Sequence, residues 1–77
     1  RETNSQNPMI INPNPFNDAT QIKVSEPSEI LIYDLEGHLI HAAHVSEGNY
    51  TFYAKDISAG IYFVRIRNEV KPLLYIP

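Results

Sequence analysis

Three histidines at positions 38, 41 and 44 are the residues that most invite a chemical interpretation, because they recur at three-residue spacing. On a helix this spacing would place the imidazole rings on one face, where they could bind a metal ion. The neighbouring residues indicate a strand instead, since Leu39 and Ile40 resume an apolar run directly after a turn. On a strand, His38 and His44 point to one side and His41 to the other. The histidines are therefore predicted to be solvated or to lie at the rim of the fold, and no metal site is predicted.

A second group of polar residues could offer oxygen ligands to calcium. Its members are Asn12, Asn14, Asn17 and Asp18. Only one of them is a carboxylate, whereas protein calcium sites rely on several charged oxygens. Two prolines lie in the same stretch, and prolines mixed with Asn and Asp favour an ordered turn. We therefore expect a turn at this position rather than a cation site.

The sequence shows no recognisable catalytic constellation. No serine has a histidine and an aspartate in a recognisable context, and no glycine-rich loop opens a helix. Cysteine is absent, which excludes thiol chemistry. Glu26, Glu29 and Glu36 are expected to be solvated rather than paired as acid and base. The sequence therefore predicts a domain that is not an enzyme and requires no cofactor.

Length and charge narrow the class of protein further. The 77 residues suffice for one small domain with one core. The net charge of −3 argues against nucleic acid or an anionic membrane as a partner. No apolar run approaches the roughly 20 residues of a membrane-spanning helix. The polar start lacks the apolar core of a signal peptide, so we expect a linker end over residues 1–8, a domain over residues 9–77 and a larger parent protein.

Short strands separated by turns are predicted for most of residues 9–77. The clearest strand covers residues 61–67, where alternation places Tyr62, Val64 and Ile66 on the core side. Further strands are predicted over residues 9–11, 21–24, 29–34, 39–45, 50–53 and 70–76. Strands at roughly 8–12-residue spacing favour two sheets that bury each other's apolar faces. We therefore predict an all-β fold, an immunoglobulin-like antiparallel β-sandwich of about seven short strands.

Two of these strands carry additional signals. Residues 29–34 and the strand that begins near Leu39 enclose a tight turn, in which Gly37 is predicted to adopt a positive φ. Asp34 is expected to accept hydrogen bonds from backbone donors across this hairpin. The last strand contains Pro72, which cannot donate to a ladder, so this strand is expected at the edge of its sheet.

Three segments match, in order and spacing, the pattern of one known family. They are Pro13-Asn14-Pro15-Phe16, residues 30–37 (ILIYDLEG) and residues 57–66 (ISAGIYFVRI). Together they resemble the type IX secretion (Por secretion) C-terminal sorting domains of the Bacteroidota, in which an early "PNP" precedes an "iyD..G" hairpin and a late "l.aGiYfvri" strand. The motif positions in this chain are Pro13, Asn14, Pro15, Phe16, Asp34, Gly37, Gly60 and Tyr62. Each is expected to determine the fold: Gly60 lets the chain swing into the core strand, and Tyr62 can bury its ring with its hydroxyl at a rim.

The resemblance implies a non-catalytic address for export. Such domains are fused behind a cargo protein, which crosses the periplasm before the outer-membrane translocon recognises the sorting domain. A sortase-like protease often removes the domain, and the cargo is attached to the cell surface or released. The protein is thus expected to be secreted or displayed at the surface. By analogy, cleavage is expected in the polar segment ahead of the first motif, at Thr3, Asn4, Ser5, Gln6 or Asn7.

The last predicted strand is the expected point of contact with the translocon. An apolar edge strand can be captured when a partner adds a strand of its own. The residues of this predicted recognition strand are Val70, Lys71, Leu73, Leu74, Tyr75 and Ile76. Weak pairing with a second copy and simple protection of the edge by proline are alternatives that the sequence leaves open.

Two other functions compete with export at the level of sequence. Exposed tyrosines on a sandwich can stack on sugar rings, so a carbohydrate-binding accessory module is one alternative, with Tyr33 and Tyr53 as the pair to test. An immunoglobulin-like spacer without a ligand is the other.

Overall fold

The computed structural model describes residues 9–77, which form seven β-strands. In chain order they are β1 (Met9–Asn12), β2 (Ala19–Val24), β3 (Ser28–Tyr33), β4 (Leu39–Val45), β5 (Gly48–Tyr53), β6 (Gly60–Ile66) and β7 (Glu69–Tyr75). The described residues include no helix that is long and apolar enough to cross a membrane. The predicted linker end over residues 1–8 lies outside the described part of the chain.

The strands form two antiparallel sheets. One sheet has the order β1-β2-β5, and the other has the order β4-β3-β6-β7. The predicted all-β, immunoglobulin-like sandwich of about seven strands is thereby confirmed. In constant-type immunoglobulin domains the fourth strand shares a sheet with the first, second and fifth. Here β4 lies in the other sheet, which therefore has four strands and a correspondingly wide outer face.

The core lies between the two sheets and is built by alternation along the strands, with one register shift where β3 pairs with β4, between Ile32 and Tyr33. In β6, Tyr62, Val64 and Ile66 are buried, as the sequence predicts, while Ile61 and Arg65 are exposed. Twelve apolar side chains are buried in all among the described residues: Met9, Phe16, Ile22, Val24, Ile30, Ile32, Val45, Phe52, Tyr62, Val64, Ile66 and Leu73. Burial of such side chains contributes about 1.5–3 kcal/mol each, which is the principal stabilising contribution in a domain without disulfides.

The connections between strands gather at the two ends of the sandwich. Because neighbouring strands are antiparallel, those that follow β1, β3 and β5 lie at one end, together with the close of β7. An isolated parallel bridge between Phe16, in the connection after β1, and Tyr75 of β7 links the two sheets there. The turn residues of all three sequence motifs fall at this end, which we call the motif end, while the strand residues of the second and third motifs run toward the opposite end. The connections after β2, β4 and β6 lie at the opposite end.

Candidate functional site at the motif end

The turn of the first motif lies along the outer edge of β7. The side-chain amide of Asn14 donates to the carbonyl of Pro72 at 2.9 Å and accepts from the N–H of Leu74 at 2.9 Å. The Phe16 N–H then donates to the Leu74 carbonyl at 3.0 Å, and the Ile76 N–H donates to the Phe16 carbonyl at 2.9 Å. One amide side chain and one backbone residue thus occupy the ladder positions that a neighbouring strand would fill. Sequence reasoning identified the turn but missed this role of Asn14.

The ring of Phe16 anchors that turn in the core. Only 3% of the residue is exposed, and its ring centroid lies 5.1 Å from that of Tyr75 and 6.2 Å from that of Phe52. The Thr20 hydroxyl, itself buried, donates to the carbonyl of Pro13 at 2.6 Å. The turn is therefore fixed from both sides, by an aromatic contact below and by hydrogen bonds along β7.

The predicted recognition strand lies at a sheet edge, as expected from Pro72, but its residues do not share one surface. Leu73 is fully buried, and Tyr75 packs against the core. The Lys71 ammonium donates to the carbonyl of Met9 at 2.8 Å. Val70 and Leu74 point the other way, to the outer face of the four-stranded sheet, and Ile76 follows the strand. Since Asn14 and Phe16 already hold the outward backbone groups of residues 72–76, strand addition along this half of β7 would require the first turn to move.

The second motif forms the β3–β4 hairpin around Asp34. One carboxylate oxygen of Asp34 accepts from the backbone N–H of Glu36 at 2.9 Å and of His38 at 2.8 Å. Gly37 has a φ of +90°, which side chains other than glycine rarely allow, and its N–H donates to the Asp34 carbonyl at 3.0 Å. The hydrogen bond from the His38 backbone is the first cause that lowers the pKa of Asp34, with contributions from the His38 ring and the Glu36 backbone. Asp34 therefore holds the hairpin in its ionised form, as its expected role requires.

Three side chains at this hairpin bring ligand atoms close together. A carboxylate oxygen of Asp34, one of Glu36 and a ring nitrogen of His38 lie within 4.8 Å of one another. The second carboxylate oxygen of Asp34 is 3.2 Å from His38 Nδ1, and its first is used by the turn. The hairpin accounts for the proximity of these groups without an ion.

The third motif forms a corner that leads into β6. Gly60 has a φ of +144°, and the buried ring of Tyr62 directs its hydroxyl to the carbonyl of Ser58, four residues upstream. A tyrosine that hydrogen-bonds back to the preceding loop at the start of the sixth strand is a feature of immunoglobulin-like sandwiches. The structure thus places the Tyr62 ring in the core and its hydroxyl in a part-buried hydrogen bond.

The three histidines are distributed over different environments. His38 lies in the exposed hairpin, and His44 is exposed on β4. His41 points between the sheets, where its Nε2 is hydrogen-bonded to the Tyr50 hydroxyl and its ring lies 5.1 Å from that of Phe52. His41 thus belongs to the packing between the two sheets.

Two open grooves flank Ile61 at the motif end. The first, of about 370 Å³, lies between residues 34–36 of the hairpin and residues 58–62. The second, of about 270 Å³, is lined by Asn14, Pro15, Pro72, Leu73 and Leu74 on its other side. Segments from all three motifs therefore converge on one exposed isoleucine. This convergence can be recognised only once the strand order is known.

Tyr33 and Tyr53 do not form a common platform. Their neighbours Ile32 and Phe52 are buried between the sheets, so the tyrosines project from opposite outer faces of the sandwich. A sugar ring cannot contact both of them at once.

Comparison with known proteins adds one finding. The family model described as "Secretion system C-terminal sorting domain" matches residues 10–74, which is nearly all of the described chain. No curated protein and no solved structure shows a significant match.

Proposed function

Because the chain belongs to the secretion system C-terminal sorting domain family, we propose that it exports a cargo protein fused ahead of it by presenting a prefolded motif end to the type IX machinery. The family assignment establishes a sorting signal for type IX secretion, and hence a protein that is secreted or surface-attached after crossing the outer membrane. Members of this family act as signals and are not catalytic. The finer steps that follow are our proposal.

The observation that carries the proposal is the match over residues 10–74, in which the turn residues of the three motifs assemble at one end of the fold. A signal read as a linear peptide would not need its elements to meet in space. Here residues far apart in the sequence, such as Asn14 and Leu74, are joined by direct hydrogen bonds. Recognition of the folded domain therefore fits the structure better than recognition of an extended tail.

We propose in addition that residues 9–77 are the sorting domain and residues 1–8 its connection to the cargo. Cleavage by a sortase-like protease would fall at Thr3 to Asn7, outside the described residues. Mass spectrometry of the exported cargo tests this placement. A cargo that ends within residues 3–7 supports it, and a cargo that keeps the intact sorting domain contradicts it.

The export function is tested with a periplasm-directed reporter that carries this chain at its C-terminal side. In a bacterium with an active type IX system, the reporter should reach the cell surface or the medium. The matched control is the same fusion in a strain that lacks the outer-membrane translocon, where the reporter should remain in the periplasm. Equal distribution in the two strains would refute the proposed function.

A further inference from the structure

The two outer faces of the sandwich differ sharply in polarity. On the three-stranded sheet the outward side chains are mainly polar: Ile10, Asn12, Ala19, Gln21, Lys23, Asn49, Thr51 and Tyr53. On the four-stranded sheet, paired residues form apolar rows across the strands: Leu39 with Tyr33, Phe63 and Pro72, then Ile61 with Leu74. Ala42, Leu31, Arg65 and Val70 form a third row with a single charge. A fourth row, Glu29 with His44, is polar and lies at the end of the sheet remote from Ile61. The four-stranded sheet therefore presents a mainly apolar surface, which we call the outer apolar face.

Much of this face is open to solvent. Among the large apolar residues exposed on the described chain, Leu35, Leu39, Ile61 and Val70 lie on it or at its margin, with exposed fractions of 67%, 53%, 45% and 52%. Contiguous exposed apolar surface on a small soluble domain marks an interaction site. Two grooves lie on either side of Ile61, at the motif end of this face. Apolar side chains of a partner can fit into these grooves.

The border of the outer apolar face is acidic at the motif end. Asp34 and Glu36 border the first groove, and the Glu36 carboxylate side chain is 80% exposed. His38 is the basic group nearest to them, at 3.6 Å from Glu36. A partner that brings a Lys or Arg next to its apolar side chains would therefore complement this border.

The area of the face indicates a transient partner. Four strands spaced about 4.8 Å apart, each about seven residues long, cover roughly 450 Å². Pairing of two such faces would bury about 900 Å² in total, which is below the roughly 1,200 Å² of stable interfaces and within the range of transient ones. A second copy of this chain would thus form no stable dimer here, whereas a machine that must bind and later release each cargo needs a contact of this size.

We propose that the outer apolar face, centred on Ile61, is the surface by which a component of the secretion machinery holds the domain. The partner inserts apolar side chains into the two grooves beside Ile61 and places a Lys or Arg opposite Asp34 and Glu36. This inference rests on the proposed export function and specifies where the domain is gripped. The proposed contact thus lies on the sheet face that β6 and β7 share, and not along the edge of β7.

The test uses the reporter fusion with one matched pair of substitutions. Ile61→Asp places a charge on the outer apolar face, and Ile10→Asp places one on the outer face of the other sheet, at a residue of similar exposure, 52%. We expect Ile61→Asp to reduce export by about tenfold or more, as for a central interface residue, and Ile10→Asp to leave it within about twofold. Equal export by both variants, with the unmodified fusion exported normally, overturns the inference and leaves the proposed function intact. Retention of the unmodified fusion refutes the proposed function itself.

A second pair probes charge without touching the core. Glu36→Lys reverses the exposed border of the first groove, and Glu47→Lys makes the same change in the exposed β4–β5 turn at the opposite end. Export should fall several-fold for Glu36→Lys and stay unchanged for Glu47→Lys. Because Glu36 is exposed in a hairpin, this pair remains informative if Ile61→Asp fails to fold. Circular dichroism and thermal unfolding of each purified variant identify any loss of fold.

The choice of partner is tested by sedimentation of the purified domain at increasing concentration. We expect a monomer throughout. A dimer that Ile61→Asp abolishes and Ile10→Asp preserves would show that a second copy occupies the face, and would overturn the proposal.

Discussion

Asn14 shows how one side chain can take the place of a strand. Its amide meets one carbonyl and one N–H of β7, two residues apart, with the spacing that a neighbouring backbone would use. The Pro-Asn-Pro sequence predicts a turn but does not reveal which carbonyl the amide will reach. That partner lies 58 residues away along the chain, so it can be known only from the fold.

Substitution of Asn14 should destabilise the domain. Asn14→Ala removes both hydrogen bonds and should lower the free energy of unfolding by about 1–2 kcal/mol. Asn14→Asp should cost a similar amount at neutral pH, because a carboxylate would face the Pro72 carbonyl, and should recover stability in acid as it becomes a donor. Urea unfolding at pH 7 and pH 3 measures both. Asn17→Ala, an exposed change in the same loop, is the control and should have little effect.

Tyr62 provides a second prediction for a single residue. Tyr62→Phe keeps the buried ring but leaves the Ser58 carbonyl without its hydroxyl donor. The free energy of unfolding should fall by about 1 kcal/mol with no change in fold. Chemical denaturation with an unchanged m-value would support this account. A variant as stable as the original chain would show that the corner is held by packing alone.

Asp34 should make the domain sensitive to acid. Its pKa is lowered in the folded state, chiefly by the backbone N–H of His38, relative to the ordinary aspartate value of about 3.9. Its stabilising contribution is therefore complete above that value and is lost as the pH falls through the lower folded-state pKa. The difference in melting temperature between the original chain and Asp34→Asn should be largest near pH 6 and should shrink below pH 4. A difference that is constant across this range would contradict the assignment.

At the scale of elements, alternation in β6 and the hairpin at Gly37 were predictable because each depends on neighbours in the sequence. The role of β7 was only partly predictable. Pro72 indicates an edge strand, which the sheet order shows, but an edge still has an inner side, an outer side and a backbone rim. Leu73 lies on the inner side and Leu74 on the outer side. The backbone groups bound by Asn14 and Phe16 lie at the rim. Apolar composition alone does not separate them.

Adjacent leucines in β7 should therefore respond differently to truncation. Leu73→Ala opens a cavity in the core and should cost about 2–5 kcal/mol of unfolding free energy, enough to unfold much of a small domain. Leu74→Ala removes a side chain from the outer apolar face and should cost about 1 kcal/mol or less. Denaturant titration of the two variants compares them directly, and equal losses would mean that the inner and outer sides of β7 are misassigned.

For the whole molecule, the sandwich was predictable from strand count and spacing, whereas the candidate site was not. Its grooves are formed by segments that meet only because β3 pairs with β6 and because β7 carries the first turn on its rim. Pairings between non-consecutive strands leave no local trace in composition. The polarity difference between the two outer faces has the same origin, because it appears only when each strand is placed in its sheet.

The direction of β1 has a consequence for how one export machine can serve unlike passengers. The chain enters the sandwich at Met9, which pairs with Val24 at the end remote from Ile61. A passenger fused ahead of the domain is thus attached at one pole while the grooves open at the other. If the machinery holds the domain at Ile61 as proposed, the passenger would be attached away from the grooves, and one receptor could accept passengers of different sizes.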